Sequence, residues 1–120
     1  MYSQIILGAL FAPMALAATM DIDVGEKGFV FDPDTVTAAV GDVLNFHFYP
    51  GDHSVASSDF ANPCSPAAQN PVWSGFINPS GSGEASTMFS LTVNSTDPMW
   101  FYCAQVGHCA AGMAMVVNPP

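Results

Sequence analysis

The run VLNFHFY at residues 43–49 alternates without a break. Leu44, Phe46 and Phe48 fall on one side of an extended chain, and Asn45, His47 and Tyr49 fall on the other. Side chains alternate across a strand with a period of two, so this run is a strand that turns one face to a core. It has company. TMDIDVG (19–25), HSVASS (53–58), TMFSLTV (87–93), MWFYC (99–103) and GMAMVV (112–117) are short β-rich runs. DTVTAAVGD (34–42) adds a β-rich run just before 43–49. NPSGSGE (78–84) and NSTDP (94–98) are turns by composition. Residues 59–79 hold four prolines and read as irregular, with at most one helical turn. No helical periodicity follows residue 20, and no repeat is present. Many short strands separated by Gly/Pro turns in so short a chain predict an all-β fold, a Greek-key β-sandwich with an irregular Pro-rich insertion.

The first twenty residues carry no charged side chain. QIILGALFAPMALAA has the apolar centre and small-residue ending of a secretory signal, with Ala15-Leu16-Ala17 as the A-x-A site. The run is short and broken by Pro13, which argues against a membrane anchor. The expected organisation is a signal peptide at 1–17 and one domain at 18–120. Export places the chain in an oxidising compartment, where a spare pair of cysteines forms a disulfide. Asn94-Ser95-Thr96 is a usable glycosylation sequon, whereas proline blocks Asn78-Pro79-Ser80. Lys27 is the one Lys or Arg against ten acids, for a net charge of −9. Nucleic acid and anionic membranes are therefore disfavoured as partners.

Three cysteines cannot all pair within one molecule. Cys103 ends a predicted strand, Met113 stands near the start of the next, and the loop between them carries His108 at its middle. Such a loop can fold a thiolate, an imidazole and a thioether towards one point. Sulfur donors suit Cu(I), and imidazole serves both copper oxidation states. A trigonal His₂Cys set with a weak axial Met is an electron-transfer copper geometry, so one more histidine is needed. His53, after YPGD at a strand edge, is the better candidate; His47, opposite the phenylalanines, reads as a surface residue. Cys103 is then the free thiol, deprotonated by the metal. Cys109 adjoins His108 and, in an extended loop, points away from the metal, which leaves Cys64 as its disulfide partner.

WFYC-AQVG-H-CAAG-M, together with HSV and NPC upstream, resembles the cupredoxins, and most of all the phytocyanins and related domains of fungal extracellular proteins. The resemblance implies one type 1 copper held by His53, Cys103, His108 and Met113, and a disulfide between Cys64 and Cys109. It also implies a Ser/Pro-rich tail and lipid-anchor signal in many members, so the expected location is extracellular or at the cell surface. The expected function is one-electron transfer with a redox protein or small redox molecule, by a monomer. The competing readings are an extracellular copper-binding or cell-surface interaction module, and an enzyme, which would need an open coordination position. The chain lacks the His-x-His motif of multicopper oxidase sites. The stretch 99–120 carries no Asp, Glu, Lys or Arg, so His108 is expected to reach the surface there, within a neutral face through which the electron leaves.

Overall fold

The computed structural model describes residues 16–120. The first fifteen residues of the expected signal segment lie outside them. Eight strands follow: β1 (Thr19–Val24), β2 (Phe31–Asp32), β3 (Thr35–Val36), β4 (Val43–Phe48), β5 (Ala56–Ser58), β6 (Met88–Thr92), β7 (Met99–Tyr102) and β8 (Ala114–Val117). One sheet runs β2-β1-β4-β6 and the other β3-β8-β7-β5. The chain crosses between the sheets at every connection except β1–β2 and β7–β8, in the manner expected of a Greek-key sandwich, and no helix forms among the described residues.

The alternation in β4 sets the core. Leu44, Phe46 and Phe48 are fully buried, while Asn45 and His47 stay partly exposed. Phe46 is the centre of the packing. Its ring lies 6.5 Å from Phe31, 6.1 Å from Phe89 and 5.9 Å from Phe101, edge-on to Phe31 and Phe101. Ile22, Val24, Val93, Met115 and Val117 close the cluster. Full burial of each such side chain contributes about 1.5–3 kcal/mol.

Register decides where the loops emerge. β1 and β4 are parallel, with Val24 opposite Phe48, so the loops that follow them leave the sandwich at the same end. β5 and β7 are antiparallel, with Ala56 opposite Tyr102, which brings the approach to β5 and the exit from β7 to one place. Three segments therefore meet at one end: 25–30, 49–55 and 103–113. The insertion 59–79 is irregular, as its prolines require. It is pinned to the second sheet by the Val72 and Ala67 amides, which donate to the hydroxyl and carbonyl of Ser57.

The stretch 37–42 departs from expectation. β-rich by composition, it continues as strand only to Val36. Side chains then take the amides a neighbouring strand would have used. Ala38 donates to the Asn118 side chain, and Ala39 and Ala18 donate to the two carboxylate oxygens of Asp42. Those two bonds hold the Asp42 carboxyl below the usual carboxylate range.

Candidate metal centre

Two stretches bring the donors together. His53 lies just before β5, where its carbonyl accepts the Ile77 amide and fixes the backbone at a sheet edge. Cys103 follows the last residue of β7, and its amide donates to the Met113 carbonyl. The segment between them is not extended; it is a run of turns. The His108 amide donates to the Gln105 carbonyl, Ala111 to Gly107 and His108, and Gly112 to Cys109. His108 is thereby folded back over Cys103, and its own carbonyl accepts the Met113 amide.

The donor atoms converge. Cys103 Sγ lies 3.5 Å from His108 Nδ1 and 3.9 Å from His53 Nδ1. All three donor atoms fall within 4.8 Å of one another. Donors held in a plane about 2.0–2.3 Å from one ion are spaced by roughly 3.5–3.9 Å, so the set fits a single metal. It is also enclosed. His53, Cys103 and His108 are 2 %, 0 % and 8 % exposed, and Met113, whose backbone bonds to those of Cys103 and His108, is fully buried. A thiolate and two imidazoles away from water suit copper in both oxidation states.

His53 is oriented with care. Its Nε2 lies 3.2 Å from the Pro50 carbonyl, which fixes Nε2–H as donor and leaves Nδ1 free to bind a metal. Gly25 and Gly51 line the same Nε2 edge of the ring, both at positive φ, and a Cβ on either would collide with the imidazole. Burial, with the adjacent His108 adding to it, pushes the His53 pKa down, so the ring is neutral, the form that ligates.

Cys103 is the free thiol, and Cys64 and Cys109 form a disulfide with their Cα atoms 5.7 Å apart. The bond closes a separation of 45 residues and staples the ligand loop to the insertion. His47 does not approach the site. Its two ring nitrogens are held by Asp21 and Glu84 on the outer face of the first sheet. Asn94 is exposed in the turn after β6.

Several residues at the site gave no signal in the sequence. The Ser54 hydroxyl and the Asp52 carboxylate each bridge to the Cys103 side, through the Ala104 amide and the Gln105 side chain. Phe29 stacks on His108. No local spacing links 25–30 or 51–54 to 103–108; the strand register does.

The family described as the plastocyanin-like domain matches residues 27–113. The chain is a cupredoxin. This cupredoxin is 34 % identical over 117 residues to an "Extracellular serine-rich protein" of Arthroderma benhamiae, covering 98 % of the chain and 45 % of that protein. It is also 34 % identical over 118 residues to the "Probable GPI-anchored cupredoxin-1" of the same organism, covering 98 % of the chain and 60 % of that protein. The cupredoxin thus spans about half the length of the curated relatives it matches. Among solved structures, a reduced auracyanin of Roseiflexus castenholzii aligns with a TM-score of 0.62 at 16 % identity, over 88 % of this chain and all of that one. Spinach plantacyanin aligns with a TM-score of 0.58 at 20 % identity, over 86 % of this chain and all of that one. At these identities the likeness is one of fold. The cofactor suited to the cluster is one copper ion.

Proposed function

We propose that this cupredoxin is a secreted type 1 copper protein that carries single electrons, with His53, Cys103 and His108 as strong donors and Met113 as the axial sulfur. The observation that carries this reading is the buried convergence of one unpaired thiol and two imidazoles. When bound, copper supplies a one-electron couple. The protein's part is to keep its donors still while the charge changes. His53 is held by Pro50, Gly25 and Gly51; Cys103 is held through Ser54 and Met113; the disulfide clamps the loop that carries His108. Burial of all four donors leaves little access for a substrate, which favours a carrier over an enzyme.

The face around His108 is formed by Val106, Gly107, Ala110, Ala111 and Gly112, all exposed and none charged. Close approach to a redox partner there is governed by contact rather than by charge. Extracellular location, whether released or lipid-anchored, is supported by the apolar N-terminal segment and by the names of the two Arthroderma relatives. No helix among the described residues is long and apolar enough to cross a membrane.

The test is spectroscopic and kinetic. One equivalent of Cu(II) gives an intense visible absorption from thiolate-to-copper charge transfer, Cys103→Ser abolishes it, and His47→Ala retains it. Fast electron exchange with a small redox molecule then identifies a carrier. Strong colour with negligible exchange identifies a copper-binding module instead, and an unchanged spectrum in Cys103→Ser refutes the ligand set.

A further inference from the structure

The two imidazoles are held by different means. His53 Nε2 has the Pro50 carbonyl. For His108, the hydrogen-bond contact its side chain makes among the described residues is Nδ1 to Cys103 Sγ, the contact a metal would replace. A histidine that ligates a metal ordinarily anchors its other ring nitrogen to a protein acceptor. Torsion about the bond to an sp² ring is soft, so an unanchored imidazole turns readily.

What lies against His108 is an aromatic ring. Phe29, in the loop between β1 and β2, stacks on it with centroids 4.0 Å apart and planes 23° from parallel. Phe29 is 48 % exposed and stands outside the sandwich core. Its loop is braced: the Gly25 amide donates to the Val30 carbonyl, the Val30 amide to the Gly28 carbonyl, and Lys27 pairs with Asp32. The His53 ring also approaches His108, at 5.0 Å and 50°. The stack also explains why His108 is buried although Val106, Gly107 and Ala110 around it are exposed, so that the aromatic ring, not the imidazole, meets solvent at this point.

We propose that Phe29 is a positioning residue for the copper ligand His108, fixing the plane of its imidazole by stacking, as the Pro50 carbonyl fixes that of His53. The same loop thus serves both imidazoles, since Gly25 clears the space that His53 occupies. The proposal rests on the reading of His108 as a ligand.

The experiment compares the parent with Phe29→Ala, Phe29→Leu and Phe29→Tyr. An aromatic pair contributes enough beyond its buried area to change an equilibrium or rate roughly two- to tenfold. Copper is expected to leave Phe29→Ala and Phe29→Leu faster by that factor, with altered hyperfine splitting in the paramagnetic resonance spectrum, while Phe29→Tyr behaves as the parent. In the metal-free protein, the ring-current shift of the His108 ring protons should vanish in the Ala and Leu variants and persist in Tyr. If Phe29→Leu matches the parent in release rate and splitting, the side chain acts as apolar cover and the proposal fails. A parent that takes up no blue copper, yet shows the ring-current shift, refutes the ligand reading and leaves the stack itself standing.

Discussion

The Ser54 hydroxyl accepts the amide N–H of Ala104 at 2.9 Å, fastening the residue after His53 to the residue after Cys103. Fifty residues separate the two in sequence. Ser54 is fully buried, so its removal takes from the half-buried Ala104 amide its one protein partner in this bond. Ser54→Ala is expected to cost about 1–3 kcal/mol of stability, read from urea unfolding of the metal-free protein. It should also broaden the visible band of the copper form. Stability equal to the parent would show that water replaces the bond.

The glycine cradle makes a sharper demand. A Cβ on Gly51 would lie 2.5 Å from His53 Nε2, and one on Gly25 closer still. Gly25→Ala and Gly51→Ala should weaken copper binding by about 1–3 kcal/mol, the usual cost of overpacking. Gly28→Ala is the control: its φ is equally left-handed, but a Cβ there meets nothing within 4 Å. Copper titrations that give all three variants the same affinity would locate the effect in backbone strain and not in the cradle.

Met113 and Met115 are both buried, and only the first is expected to bind copper. Met113→Gln exchanges a soft thioether for a hard amide oxygen, which favours Cu(II). Its reduction potential should fall. Met115→Gln places an amide in the core and should cost about 1–3 kcal/mol of stability without moving the potential. A potential that falls in Met115→Gln alone would reassign the axial ligand.

His47 predicts a pH dependence unrelated to copper. The hydrogen bond that His47 donates to Asp21 raises its pKa above the ordinary imidazole value, burial opposes this, and Glu84 adds to it. A raised folded-state pKa means that protonation stabilises the fold. The contribution is complete below the unfolded value of about 6.5 and is lost as pH rises through the folded one. The group is partly exposed, so its size is at most about 1 kcal/mol. Urea midpoints should fall as pH rises from about 6.5 in the parent, and less so in His47→Gln. Parallel profiles for the two proteins would remove His47 as the cause.

The sequence spoke most clearly where the information is local. The alternation in β4 placed Leu44, Phe46 and Phe48 inside, and the spacing from Cys103 through His108 to Met113 marked the loop that gathers donors. The two-residue strands β2 and β3 carry too few residues for a period to register. The run 37–42 misled because composition speaks of β propensity, while distant Asn118 took the Ala38 amide and the run's own Asp42 turned back on the Ala39 amide. The Cys64–Cys109 pairing was read from an extended loop; the loop is a series of turns, yet the pairing is as expected. His108 was expected to reach the surface and is buried, because Phe29 comes from a loop almost eighty positions away. Contacts of that kind are written in sheet register, which no short window of residues contains.

The placement of the three sulfurs of cysteine has a consequence for the life of the protein before it meets metal. The half of the disulfide at Cys64 is exposed, whereas Cys103 is sealed from solvent. A folded, metal-free chain in an oxidising medium can therefore keep its one ligand thiol from mixed disulfides and from sulfenic acid, since both require access. The same enclosure that holds the donors still would let the empty protein wait in such a medium and remain competent to be loaded.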